Sequence, residues 1–96
     1  MKNINEKLLE AVKSNEIEEV KKLIKEGADV NVVDKNGATA LHKASYWDHS
    51  EIVKMLIEAG ANVNVVNKYG ITALHLASLL GHSEIVKILK EAGAKQ

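Results

Sequence analysis

Residues 36–66 read NGATALHKASYWDHSEIVKMLIEAGANVNVV, and this stretch decides the fold because it recurs 33 positions later. The second copy, YGITALHLASLLGHSEIVKILKEAGA, occupies residues 69–94. When residues 34–63 are placed on residues 67–96, 19 of the 30 positions are identical. The chain is therefore built from a repeated unit, and its first third can be tested against the same spacing.

The first third of the chain keeps this spacing. Its residues 27–33, GADVNVV, fall on GANVNVV at residues 60–66. Periods of 20–50 residues are typical of repeat proteins, in which each unit buries its apolar side against its neighbours. We therefore predict one domain of three units joined without linkers, at 1–33, 34–66 and 67–96.

Each unit contains the signals of two short helices and a turn. In the central unit Thr39 can cap a first helix, and Leu41 and Ala44 then share its apolar side. A second helix is predicted to begin at Ser50, whose hydroxyl would cap it, and to end before Gly60. Its apolar stripe consists of Ile52, Val53, Leu56 and Ile57.

With TALH at 39–42 and 72–75 and HSEIVK at 49–54 and 82–87, the chain resembles ankyrin repeats over essentially its whole length. The resemblance implies an all-α solenoid of three stacked helix–turn–helix units joined by β-turn tips, with the first helices lining a concave face. Unit 1 resembles an N-terminal capping repeat in which Asn5 replaces the turn threonine. The chain is also similar to small designed ankyrin repeat binding proteins and to natural three-repeat segments.

Composition and charge exclude several classes of function. Lysine supplies all 13 basic residues and 13 acids balance them, so we predict no nucleic-acid partner. Arginine, the usual bidentate reader of phosphate and guanine, is absent. Cysteine is absent too, and no apolar run approaches the ~20 residues that span a bilayer, so no disulfide and no membrane contact are predicted. Because Met1 to Glu10 holds no apolar signal core, a cytoplasmic location is expected.

The positions that differ between units 2 and 3 indicate where a partner would bind. Positions fixed by packing stay constant between repeats, whereas varied positions are free of that constraint. All three aromatic residues belong to the varied set, and the resemblance implies the same surface, since the designed binders vary the equivalent positions. The predicted partner-binding residues are Val33, Lys35, Asn36, Ala38, Lys43, Tyr46, Trp47, Val66, Lys68, Tyr69, Ile71, Leu79 and Leu80.

The sequence thus predicts a protein-recognition module without catalytic activity, cofactor or metal. Imidazole is a common metal ligand, so the histidines need an explanation. They recur at equivalent positions of the repeats, where we expect them to bond backbone groups of a neighbouring turn or unit. The four histidines are His42, His49, His75 and His82.

Three alternatives stay open at this point. The chain could be a homodimer that buries the apolar surface against a second copy, or an engineered scaffold without a natural ligand. It could also be an enzyme built around Lys43, which stands where unit 3 has Leu76 and could act as a Schiff-base nucleophile. The competing interpretation is a lysine whose stem packs on the surface and whose amine reaches toward Asp48 or Glu51.

Overall fold

Six short helices make up the structure, a computed structural model that describes residues 2–95. They are α1 (Ile4–Lys13), α2 (Ile17–Lys25), α3 (Ala40–Tyr46), α4 (Ser50–Glu58), α5 (Ala73–Leu80) and α6 (Ser83–Glu91). The described residues contain no strand beyond an isolated antiparallel bridge between Val33 and Thr39. The predicted all-α arrangement of helix pairs is confirmed.

The helices form two rows. The first helices α1, α3 and α5 pack side by side, and the second helices α2, α4 and α6 form a row behind them, each packed on the first helix of its own unit. The resulting stack measures 35 × 25 × 20 Å. Between Lys2 and Lys95 no helix is long and apolar enough to cross a membrane.

The core is filled by aliphatic side chains and alanine. Leu8, Leu41 and Leu74 occupy the same position in the three first helices, and each is at most 1% exposed. Of the predicted stripe on α4, Ile52, Val53 and Leu56 are fully buried, whereas Ile57 is only half-buried. Among the described residues, no tyrosine or tryptophan side chain belongs to the buried core.

The first helices of units 2 and 3 begin with a reciprocal cap. Thr39 Oγ1 accepts the backbone N–H of His42 at 3.2 Å, and the Nδ1 atom of His42 accepts the N–H of Thr39 at 3.1 Å. Thr72 and His75 repeat both bonds at 3.1 Å. Each cap satisfies two backbone donors that the helix start would otherwise leave unpaired.

The prediction that Ser50 caps α4 is wrong. Ser50 is the first helical residue, and His49 holds the capping position without a side-chain cap bond. The backbone N–H of His49 bonds the carbonyl of Ala44, and its ring reaches the carbonyl of Lys13 in unit 1. These two bonds hold His49 in the N-cap position, one residue before the serine.

Unit 1 also begins differently from the prediction. Asn3 caps α1, its Oδ1 atom accepting the N–H of Glu6 at 2.8 Å, whereas Asn5 lies inside the helix. The Oδ1 atom of Asn5 accepts the N–H of Asp29 at 2.8 Å. Asn5 therefore ties α1 to the loop after α2 instead of replacing the turn threonine.

The two ends of the stack differ. Where units 2 and 3 place alanine and isoleucine against the preceding unit, unit 1 has Lys7 and Glu19. At the other end no described residue stacks on unit 3. His42 and Ser45 are at most 2% exposed between units 2 and 3, whereas their counterparts His75 and Ser78 are exposed.

Backbone contacts hold the turn tips of units 2 and 3 together. The N–H of Lys68 donates to the carbonyl of Asn36 at 2.9 Å. Gly37, at a φ of +78°, lies so close to this tip that a Cβ atom on it would sit 3.3 Å from Lys68 N. Gly70 has a φ of +74° but no heavy atom within 4 Å of such a Cβ position.

Truncation of a core leucine should destabilise the protein far more than loss of all its rings. We expect Leu74→Ala to lower the free energy of unfolding by ~2–5 kcal/mol, because it leaves a cavity between helices. The triple change of Tyr46, Trp47 and Tyr69 to alanine should cost ~1 kcal/mol, because these side chains are exposed. Urea unfolding followed by circular dichroism compares the two, and equal costs would place the rings in the core.

The two tip glycines provide a matched pair. Gly70→Ala should cost about 1 kcal/mol, the strain of a side chain at positive φ. Gly37→Ala should cost about 2–3 kcal/mol, because the close approach to the next tip adds to the same strain. Thermal or urea unfolding of both variants measures the difference, and identical stabilities would show that the tip contact contributes nothing.

Candidate functional site

The exposed large apolar side chains lie at the predicted binding positions. Tyr69 and Leu79 are the most open, at 69% and 83% exposure. Such side chains gain little from the fold itself, and a contiguous apolar surface is typical of a docking site. Among the described residues the exposed set is Val33, Tyr46, Trp47, Val66, Tyr69, Leu79 and Leu80.

The three aromatic side chains surround a groove of about 300 Å³ in the central unit, here called the aromatic groove. The rings of Tyr46 and Trp47 meet edge to face, with centroids 4.9 Å apart and planes at 78°. This is a favoured aromatic geometry, so each ring orients the other. The lining consists of Lys13, Asp34, Asn36, Ala38, His42, Lys43, Tyr46, Trp47, Asn67, Tyr69 and Leu76.

A second groove of about 590 Å³ borders the first and is here called the unit 1 groove. Its apolar lining comes from Leu9, Val32 and Val33, and Lys35 lies at the turn tip. The two grooves share three lining residues, so they meet along the first helices and tips. The shared residues are Lys13, Asp34 and Lys43.

An ion pair lies where the grooves meet. Lys43 Nζ donates to Asp34 Oδ2 at 2.9 Å, so the expectation that Lys43 reaches Asp48 or Glu51 is wrong. The tip before α3 folds back over the helix and brings Asp34 nearer than either acid. In this structure the amine of Lys43 is therefore the partner of a carboxylate.

Asp34 also organises its own tip. Its Oδ1 atom accepts the backbone N–H groups of Asn36 and Ala38 at 2.8 and 3.0 Å. Burial raises the pKa of Asp34, but the hydrogen bonds from Lys43 and these two N–H groups outweigh burial and hold the pKa below its ordinary value. Asp34 is therefore the charged centre from which both the tip and Lys43 are positioned.

His75 bonds the backbone N–H of Thr72 at the turn of its own unit, whereas the other three histidines bond the backbone of a neighbouring unit, as expected. Their Nε2 atoms link neighbouring units; those of His42, His49 and His82 lie 2.8, 3.0 and 3.2 Å from the carbonyl oxygens of Ile71, Lys13 and Tyr46, respectively. His75 does not follow them, because no further unit supplies a carbonyl among the described residues. Within residues 2–95 no group of three or more metal-ligating side chains forms.

His42 is the buried histidine of the site. Its Nδ1 atom accepts the N–H of Thr39, so the proton of the neutral ring lies on Nε2 and is donated to Ile71. Burial lowers the pKa of His42 below 6.5, while the bond to Ile71 and the charge of Asp34 act in the opposite direction without reversing the shift. A second proton on the ring would displace the Thr39 bond.

The remaining predicted residues line neither groove. Ile71 is half-buried and has a structural task, because its carbonyl is bound by His42. Lys68 Nζ lies 5.2 Å from the centroid of the Tyr69 ring, within the range of a cation–π contact. The other three residues are exposed and line neither groove: Val66, Leu79 and Leu80.

Several groove residues were not among the predicted ones. Asp34 and Asn67 open the two tips, and Leu76 occupies the position that Lys43 has in unit 2. The sequence shows these positions, because they differ between units 2 and 3. Nothing in the repeat pattern marks Lys13, which belongs to the least regular unit. Leu9 and Val32 could not be predicted as groove residues either, because their aliphatic side chains are equally typical of a core.

Residues 8–96 match the sequence profile described as ankyrin repeats in three copies. The chain therefore belongs to the ankyrin repeat family. Ankyrin repeats are generally protein–protein interaction modules, and the fold is not itself catalytic. Among curated proteins none matches the chain significantly.

The buried histidine should make the stability depend on pH. The unfolded chain binds a proton at residue 42 more readily than the folded chain, because the folded pKa lies below 6.5. Stability should therefore fall as the pH drops through 6.5 and on through the lowered folded pKa. Urea unfolding at pH values from about 7.5 to 5.0 measures the loss.

The matched control is His75, the equivalent residue of unit 3, which makes the same cap but is exposed. We expect His42→Asn to flatten the pH dependence, and His75→Asn to leave it as in the wild type. An unchanged slope in His42→Asn would assign the effect to other groups.

Proposed function

We propose that this chain is a protein-recognition module whose partner lies across the aromatic groove and contacts the turn tips and first helices. The carrying observation is the segregation of side chains: the core is aliphatic, while all three rings are exposed. An aromatic side chain buries ~150–250 Å² at an interface, and three rings with Ile71, Leu79 and Leu80 approach the ~800 Å² per partner of a standard complex.

In this proposal residues 1–96 act as one binding domain of units 1–33, 34–66 and 67–96. The first tip contributes Val33, Lys35, Asn36 and Ala38, and the second tip contributes Val66, Lys68, Tyr69 and Ile71. The first helices and the residue that follows α3 add Lys43, Tyr46, Trp47, Leu79 and Leu80. The fixed spacing of the tips favours this surface, because a partner meets groups whose positions are already set.

Trp47 is the residue on which binding should depend most. Tryptophan is the side chain most enriched among interface hot spots, and those lie where surrounding contacts exclude water. Trp47 lies in the central unit, packs against Tyr46 and lines the same groove as Tyr69. Contacts on both sides can therefore surround it.

We expect Trp47→Ala to weaken binding by at least ~2 kcal/mol, about thirtyfold in Kd. Lys35→Ala, at the edge of the surface, should cost under ~1 kcal/mol and act mainly on the association rate. The probe is a set of peptides selected from a random display library on the wild-type chain, with Kd measured by surface plasmon resonance. Equal affinity of Trp47→Ala and wild type for all selected peptides would contradict the proposal.

The same tryptophan distinguishes a partner from a second copy. Emission of the free chain should be that of an exposed indole and shift to the blue when a selected peptide binds. A blue shift that follows protein concentration alone, together with a rising sedimentation coefficient, would support the homodimer instead. Emission that is already blue at the lowest concentration and insensitive to peptide would place Trp47 in internal packing.

A further inference from the structure

The charged side chains around the aromatic groove are mainly basic. Lys13 and Lys43 line it, and the amine of Lys68 lies against the ring of Tyr69. The one acid among its lining residues is Asp34, which is already engaged by Lys43. The lining thus holds one more lysine than acid, and Lys68 adds a further positive charge beside Tyr69, in a chain whose formal net charge is zero.

Two of these lysines are available to a ligand. Among residues 2–95, neither Lys13 nor Lys68 has a carboxylate within ion-pair distance. The backbone of both is committed, because the carbonyl of Lys13 bonds His49 and the N–H of Lys68 bonds Asn36. Backbone bonds thus fix where the two stems begin, while the amines stay free to meet an incoming acid.

The acids of this surface lie toward the first end of the stack. Glu6 and Glu10 line the unit 1 groove, and Glu10 accepts a hydrogen bond from Lys2. Residues 1–34 contain six lysines and eight acids, whereas residues 67–96 contain four lysines and two acids. The sign of the charge therefore changes along the stack, from acidic at unit 1 to basic at unit 3.

We infer that the ligand of the aromatic groove is a protein segment that combines apolar side chains with carboxylates. Its acidic part lies over Lys13 and Lys68, and its apolar part packs on Trp47. The charge asymmetry also gives a direction, because carboxylates placed over Glu6 would be repelled. This inference rests on the proposed function and specifies the chemistry of its partner.

The expected preference for acidic over basic ligands depends on how exposed the lysine–carboxylate pairs are. Lysine–carboxylate pairs on a wet surface contribute little individually, and salt screens them. Where a bound segment covers the rings and displaces water, the same pairs are screened less, and two lysines act on one ligand. We therefore expect acidic flanks to change affinity by about tenfold relative to basic ones, with most of the change in the association rate.

Three synthetic peptides test the inference. They share one apolar centre of leucine, isoleucine and phenylalanine and differ only in four flanking residues, which are glutamate, glutamine or lysine. Each carries a fluorophore, and anisotropy gives Kd at 0.05 and 0.5 M salt. We expect the glutamate peptide to bind about tenfold more tightly than the lysine peptide, with the glutamine peptide between them, and the gap to shrink in high salt.

Charge reversal within the chain supplies the matched control. Lys13→Glu with Lys68→Glu should invert the order of the peptides. Lys22→Glu with Lys87→Glu changes the net charge equally on exposed positions of α2 and α6 outside both grooves, and should preserve the order. Circular dichroism verifies folding, and Lys13→Gln with Lys68→Gln, which should abolish the preference, replaces the reversed pair if that pair unfolds.

Each outcome decides between the proposals. Equal Kd values, preference for the lysine peptide, or no binding by any peptide overturns the inference. Inversion by the Lys22 and Lys87 pair also overturns it, because the effect would then belong to net charge. An acidic preference that survives Trp47→Ala undiminished would instead count against the aromatic groove as the binding site, and so against the proposed function.

Discussion

Side-by-side packing of α1, α3 and α5 is the constraint on which the rest of the structure depends. The equivalent leucines Leu8, Leu41 and Leu74 are buried between helices, and small alanines let the helices approach. This spacing brings the ring of His42 within reach of the Ile71 carbonyl and the two tips within a backbone hydrogen bond. The packing of these leucines therefore sets the geometry of the aromatic groove and the turn tips, because each unit packs against its neighbour.

The chain separates the side chains that hold it together from those that it presents. Packing is done by aliphatic residues, and polar groups such as Thr39 and His42 satisfy the backbone at helix starts. The exposed set includes the side chains of Tyr46, Trp47 and Tyr69. Lys43 and Asp34 lie at the boundary, since their ion pair orders a tip while it forms the floor shared by the two grooves. Exposed residues that are not needed for packing can have large apolar side chains. A large exposed apolar area is unusual in a protein of this kind.

The period of the sequence was enough to predict the helix pairs, the threonine caps and the histidine bonds between neighbouring units. It was not enough for features that depend on a particular neighbour. Serine is a common N-cap residue, but Ser50 is the first residue of α4 and His49 holds the N-cap position. Lys43 found Asp34 because the tip folds back over α3, a contact between residues nine apart that no helical spacing predicts. Lys13 lines the groove but belongs to unit 1, whose sequence matches the other repeats least well. Comparison between repeats therefore could not identify it.

The unequal ends of the stack have a consequence for local motion. Within residues 2–95, unit 2 packs against a unit on each side and unit 3 against one, and the stability of a repeat is the sum of its own contribution and those of its neighbours. Amide hydrogens of α5 and α6 should therefore exchange with solvent through smaller openings than those of α3 and α4. Tyr69, Leu79 and Leu80 belong to this less supported unit. A ligand that bridges units 2 and 3 would add contacts to unit 3 and slow that exchange.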